Sequence, residues 1–294
     1  MTAFDAMPAG FDTIWITFGP HRLHARSRRG SSPAIVLLHG FPDSIHLYDW
    51  LLPHLTAGHT VVTFDFLGWG DSDKPAGYPY TATNQIGEID TVVRELGLDR
   101  VILVAHDSSG PPAIDWAFAH QDKVAGLVLL NTYYGAMARL RPPEAIFLYS
   151  TPLIRVLARA IARTFEPVDR RLYFWQVGRF VADPELRRTL VPAFYEKFRA
   201  TRPAFWRLNA DLVGTVTDRA RKVARLKKFT PPVRIVFGTD DPYLNVHVAR
   251  HFARIYQTTD LHLLAGARHY VQVDKPATVA ALIEGVTEKP KGSP

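Results

Sequence analysis

Apolar residues in this chain come in short unbroken runs separated by stretches of helical spacing. Ala34–His39 (AIVLLH), Thr60–Asp65 (TVVTFD), Val101–Ala105 (VILVA) and Val124–Leu130 (VAGLVLL) are continuous and rich in β-branched residues. A strand with one wet face alternates, whereas an unbroken run predicts a strand buried on both faces, as in a parallel sheet. Between these runs, Asn84–Leu96 and Pro111–His120 carry helical spacing. Farther on, Val233–Phe237 and Leu261–Leu264 flank a helix near Val246–Tyr256, and a last helix lies near Ala277–Thr287. The alternation predicts an α/β protein with a doubly wound, mostly parallel sheet.

The middle of the chain departs from this pattern. From Ala136 to Val213 there is no buried-strand run, only helical segments rich in aromatics: Phe147, Tyr149, Tyr173, Phe174, Trp175, Phe194, Tyr195, Phe205 and Trp206. The expected organisation is a core of residues 1–135 and 214–294, with residues 136–213 as a helical cap inserted between strands 6 and 7. The tail from Lys289 (KPKGSP) reads as disordered.

Composition narrows the classes. With 294 residues, 47 % of them hydrophobic and 21 % charged, the chain has the profile of an ordinary globular protein. It has no cysteine, which excludes disulfides, thiolate metal sites and a cysteine nucleophile. Met1 to Asp12 hold no apolar run of signal-peptide length, and no stretch approaches the roughly 18 apolar residues of a membrane span. A soluble, cytoplasmic protein is the expectation. The formal charge is +7, partly in two basic runs, Arg155–Arg171 and Arg219–Lys228. Both read as solvated helix faces, without the glycine-aromatic pattern of a single-strand binding sheet. The expected partner is a small-molecule substrate, with no nucleic acid and no membrane; oligomeric state is left open.

Four segments could carry chemistry. In Val104-Ala105-His106-Asp107-Ser108-Ser109-Gly110 a buried strand gives way to a helix through a tight turn. Such a turn needs small residues two before and two after its apex. Asp107 at the apex puts Ala105 and Ser109 there, whereas Ser108 would need the large His106. The pattern favours Asp107 as an exposed nucleophile at the carboxyl end of a central strand. His39-Gly40-Phe41-Pro42-Asp43-Ser44 follows an earlier strand, so the N–H groups of Phe41 and Ser108 could hold an oxyanion. His269 follows the last strand, in a loop at the same sheet edge, where an imidazole can take a proton from water. After the seventh strand, Asp241, with Asp240 as its near rival, could orient that imidazole. The order nucleophile, acid, histidine is the one this architecture uses.

Together these segments resemble the α/β-hydrolase fold family over about Pro33 to Ile283. The string Asp65-Phe66-Leu67-Gly68-Trp69-Gly70-Asp71-Ser72-Asp73-Lys74-Pro75 resembles the D-x-x-G-x-G-x-S-D-K-P turn of the epoxide hydrolase and haloalkane dehalogenase branch. The H-Y-V-Q-x-D-x-P string from His269 does the same. The resemblance implies that Asp107 attacks a substrate carbon to form an alkyl ester, and that His269 then activates water against it. Phe41 and Ser108 N–H would hold the oxyanion and Asp241 the tautomer of His269. An epoxide oxygen needs a proton donor, usually a cap tyrosine in this branch; a halide needs N–H donors, usually tryptophan.

The chain departs from both patterns. Ser108 stands where dehalogenases carry tryptophan, and Phe41 where one dehalogenase group has asparagine. Ser108-Ser109-Gly110-Pro111 lacks the arginines of fluoroacetate dehalogenases. Tyr173 matches the region of the first epoxide hydrolase tyrosine, but Trp206 stands near the second. Trp175 and Trp206 are candidate donors to either leaving group, and Tyr134 and Tyr243 are further donors at the sheet edge. Epoxide hydrolysis of a bulky apolar substrate is the leading expectation. The alternatives are a haloalkane dehalogenase using Trp175 or Trp206, a Ser108-dependent ester or carbon–carbon hydrolase, and a non-catalytic binding protein. Gly68-x-Gly70 lacks the third glycine and following helix of a dinucleotide site, and no metal cluster is evident. No cofactor beyond water is expected.

Overall fold

Six parallel strands grow from the apolar runs: β3 (Ser31–Leu38), β4 (His59–Phe64), β5 (Val101–Asp107), β6 (Val124–Thr132), β7 (Val233–Gly238) and β8 (Leu261–Leu264). Two antiparallel strands, β1 (Asp12–Phe18) and β2 (His21–Arg28), extend one edge, giving the order β1-β2-β4-β3-β5-β6-β7-β8. The computed structural model describes residues 7–137 and 139–287; Met1 to Ala6 and the tail from Lys289 lie outside the described residues.

Successive residues of the central strands enter two different cores. Val36 and Leu38, Leu103 and Ala105, Leu127 and Leu129, and Ile235 and Phe237 face one; Ile35 and Leu37, Ile102 and Val104, Val128 and Leu130, and Val236 face the other. Both faces are dry, so the runs do not alternate. Helices α1 (Ala82–Glu95), α2 (Gly110–Ala119) and α7 (Val246–Tyr256) cover the first face; α9 (Pro276–Glu284) covers the second. A short helix, α8 (Val271–Asp274), follows the last strand. Full burial of each such side chain stabilises by roughly 1.5–3 kcal/mol.

Four helices lie between β6 and β7: α3 (Glu144–Ser150), α4 (Pro152–Thr164), α5 (Glu166–Val177) and α6 (Pro184–Lys222). The Asp183 carboxylate caps α6 by accepting the N–H groups of Glu185 (2.7 Å) and Leu186 (3.2 Å), with Pro184 in its first turn. The boundary at residue 213 falls inside α6, which runs on to Lys222. There Arg219 pairs with Asp115 of α2 at 2.8 Å, and Arg225 and Tyr134 engage the same carboxylate. The last turns of α6 thus pack on the core. Earlier in the same helix, Lys197 reaches Asp71 at 2.9 Å.

Candidate active site

The turn between β5 and α2 holds Asp107 at φ +49°, a left-handed conformation that a non-glycine residue adopts only when its surroundings impose it. Three features impose it. Ser109 Oγ accepts the His106 N–H at 2.9 Å and donates to the His106 carbonyl at 2.7 Å, with the Leu38 carbonyl also in reach at 3.0 Å. Thr132 donates to the Asp107 carbonyl at 2.5 Å. Two glycines admit the close approach: a Cβ at Gly40 would stand 2.5 Å from Asp107 Cβ, and one at Gly110 would stand against Thr132 Oγ1. The positive φ falls on residue 107 and not on 108, so the turn presents the aspartate.

The Asp107 carboxylate meets the turn after β3. Phe41 N–H donates to Oδ2 at 3.1 Å, and the Ser108 N–H also bonds the carboxylate. His269 Nε2 lies 3.9 Å from Oδ1. Burial raises the Asp107 pKa above the usual carboxylate range, outweighing the pull of His269 and of the two N–H groups.

His269 Nδ1–H donates to Asp241 Oδ2 at 2.7 Å. Asp241 is fully engaged: Oδ2 also accepts from Asn131 Nδ2 at 2.7 Å, and Oδ1 accepts the N–H groups of Tyr243 (2.8 Å) and Leu244 (3.1 Å). Burial alone would raise its pKa, but the His269 charge and these donors lower it overall. Asp240 is exposed and accepts from Thr239 at 2.7 Å, so geometry separates the two rivals. Burial opposes a charge on His269, yet the Asp241 charge and hydrogen bond, then Asp107 and Asp43, push its pKa up to about 9. The backbone at His269 is held by His106, whose Nε2–H donates to the His269 carbonyl at 3.1 Å; burial keeps this second imidazole neutral. The Phe180 ring, from the cap, lies 4.5 Å from that of His269.

Asp107, Ser108, Phe41 and His269 open on a mostly apolar cavity between core and cap, with about 940 Å³ of empty space partly open to solvent. Tyr173 lines it; its hydroxyl is buried and has no hydrogen-bond partner among the described residues. Its ring stacks on Phe198 at 4.8 Å, and burial raises its pKa well above the usual phenol value, so it stays a protonated donor.

Three residues expected to contact substrate lie elsewhere. Trp175 points to solvent, 45 % exposed, with the Arg179 guanidinium 4.2 Å from its ring centroid. Trp206 is buried beneath Arg163, while its neighbour Phe205 faces the cavity. Tyr134 spends its hydroxyl on Asp115 (2.7 Å) and Arg225 (3.0 Å), and Tyr133 lines the cavity instead. Tyr243 does line the cavity, but its hydroxyl is committed to Glu144 (2.7 Å), Gln176 (2.8 Å) and Arg179 (3.2 Å).

Sequence reasoning missed two groups. Asn131, at the end of β6, has φ +29° and joins Asp241 to the β7 backbone by accepting the Gly238 N–H at 2.9 Å. A polar residue closing an apolar run was the available signal. Asp43 is buried, accepts from Tyr270 at 2.5 Å and leaves Oδ2 without a partner among the described residues. Burial raises its pKa to about 7.

The D-x-x-G-x-G string is a structural knot. Asp65 accepts from His24 (2.9 Å) and from the N–H groups of Ile45 (2.9 Å) and Asp71 (3.0 Å). His24, Asp65 and Asp71 are close enough to offer ligands to a cation, but each is already spent on this knot or on Lys197.

Comparison with known proteins agrees with this architecture. The chain is 25 % identical over 267 residues to Epoxide hydrolase 3 of Xenopus tropicalis, covering 86 % of this chain and 70 % of that one. It is 27 % identical over 285 residues to Haloalkane dehalogenase 2 of Mycobacterium tuberculosis, covering 93 % and 94 %. Among solved structures, Cfl2 from Burkholderia cenocepacia superposes with a TM-score of 0.80 at 21 % identity, covering 97 % of this chain and 99 % of that one. The family profile of the alpha/beta hydrolase fold matches residues 33–276, so the chain belongs to the α/β-hydrolase family and is a hydrolase.

Proposed function

We propose that the protein is an epoxide hydrolase that acts through an alkyl ester of Asp107. One observation carries the choice of leaving group. The buried, unpartnered hydroxyl of Tyr173 shares a cavity with Asp107, whereas no tryptophan lines that cavity among the described residues. An alkoxide leaving group needs a proton, and a phenol can give it one. A halide needs polarised N–H donors, and Trp175 and Trp206 are turned away.

Asp107 Oδ2 rests on the Phe41 N–H, which leaves Oδ1 to attack an epoxide carbon. The carbon–oxygen bond of the ring breaks, and Tyr173 protonates the departing oxygen. Esterification removes the Asp107 charge, one of the causes that raise the His269 pKa, so the imidazolium gives up its proton more readily, the Tyr173 phenolate recovers one, and His269 becomes a base. Neutral His269 then takes a proton from water, and the resulting hydroxide attacks the ester carbonyl carbon. Phe41 and Ser108 N–H hold the oxyanion, and collapse passes the new carboxyl proton to the departing oxygen, releasing the diol and restoring the Asp107 carboxylate. Asp241 keeps the Nδ1 proton in place throughout.

The test uses styrene oxide and 1-bromobutane with the same preparation. Diol from the first, without bromide from the second, is expected, and Tyr173→Phe should lower kcat on the epoxide by about 100-fold without a fall in Tm. Bromide release that Tyr173→Phe leaves unchanged, with no diol, would assign a dehalogenase. Hydrolysis of nitrophenyl acetate lost only in Ser108→Ala would assign a serine enzyme.

A further inference from the structure

We propose that the outer face of α4 docks on an anionic lipid surface. The helix is amphipathic in the reverse of the usual sense. Leu153, Val156 and Leu157 are 87 %, 68 % and 65 % exposed, and Phe147 and Phe165, beyond either end of the helix, are more than half exposed. Its arginines turn inward. Arg155 donates to the Ala210 carbonyl at 3.3 Å, Arg159 donates to that of Trp206, and Arg163 covers the Trp206 ring at 4.9 Å. A water-facing helix buries its apolar stripe and exposes its charges. Here the stripe is left for a partner, and contiguous exposed apolar patches mark protein or membrane contacts.

Charge selects the partner. Residues 136–213 hold fourteen arginines and lysines against seven aspartates and glutamates, so the cap carries the whole formal +7 of the chain. A second copy docked face to face would set two such caps against each other. An anionic bilayer attracts them, and Arg170 and Arg171 of the next helix, α5, are exposed. Among the described residues no single helix is long and apolar enough to cross a membrane. α3 and α4 meet at 108°, which suits a wedge lying in the interface. This reverses the expectation that Arg155–Arg171 is a merely solvated face.

A groove under α4 backs onto the cavity. It is lined by Ile154, Leu157, Ala158 and Ile161, and its inner wall of Tyr149, Asp169 and Leu172 is also a wall of the cavity holding Asp107. An apolar molecule dissolved in a bilayer would meet this groove first. The docking itself does not depend on the leaving group, and its test reads binding.

The full chain is floated with phosphatidylcholine vesicles, with and without phosphatidylglycerol. Flotation with the anionic vesicles is expected, with Leu153→Gln/Leu157→Gln lowering partition on the order of tenfold or more. Arg171→Glu should weaken it on anionic vesicles only, as added salt does. The altered side chains are exposed, so Tm should hold. Because the chain has no cysteine, Leu157→Cys offers one point for a polarity-sensitive fluorophore, whose emission should shift to the blue on anionic vesicles. Wild-type protein that stays unbound, or a double leucine variant that floats as well as wild type, overturns the proposal. So does a dimer in light scattering that Leu153→Gln/Leu157→Gln dissociates.

Discussion

The Asp107–His269–Asp241 cluster of the core and the tyrosine that the cap turns toward it treat their polar groups in opposite ways. In the core, both oxygens of Asp241 and the Nδ1 of His269 are engaged, and Asp107 is held from two sides by Phe41 and Ser108 N–H. In the cap, the Tyr173 hydroxyl is buried without a partner among the described residues. A buried donor left unmade costs about 1–3 kcal/mol. For Tyr173, which faces the cavity, a ligand can recover that cost. The core is also neutral overall while the cap carries the net charge. Under the proposed function, fixed electrostatics set before substrate arrives belong to the core, and proton donation to the leaving group belongs to the cap.

That division ranks the expected effects. The largest belongs to the core: Asp107→Asn should lower kcat by about 10⁴-fold or more on every substrate, while Ser108→Ala, which keeps its backbone N–H, should stay within about tenfold. Steady-state assays of both on one epoxide check this, and the reverse pattern would move the nucleophile. The cap effect, Tyr173→Phe, is smaller and specific to leaving groups that need a proton. The smallest is a pH effect on stability. Folded His269 titrates at about 9 against an ordinary value of 6.5, so between these the folded chain binds more protons than the unfolded one. Its contribution is fully present below pH 6.5 and is lost as pH rises through about 9. Thermal melts across that window should show Tm falling in wild type, with a shallower fall in Asp241→Asn, which lacks the charge that holds the proton.

The same division governs what could be read from sequence. Continuous apolar runs marked the four central strands β3 to β6 because both faces are dry; β7 and β8 interrupt theirs with Arg234 and His262, and β8 is only half-buried. The edge pair β1 and β2 escaped that criterion, since DTIWITF alternates and HRLHARSR is largely polar. Asp107, His269 and Asp241 were legible because strand ends fix where the following residues lie. Cap orientation was not. Tyr173 and Trp175 sit two residues apart on α5, about 200° around the helix axis, so one enters the cavity and the other meets water. Phe205 and Trp206 differ by one position, so Phe205 faces the cavity while Trp206 is buried away from it beneath Arg163. Aromatic content marks a cap but carries no phase, and phase depends on which face α6 and α5 share. Asn131 was hidden because its partner Asp241 is distant in the chain and meets it only once β6 and β7 pair.

The covalent step is tested most directly by the intact mass of His269→Gln after incubation with styrene oxide. The variant keeps the nucleophile and loses the base, so the protein should gain the full mass of one epoxide, mapped by peptide analysis to Asp107. An unchanged mass in a folded variant that no longer makes diol, or a gain mapped to Ser108, would contradict the ester at Asp107.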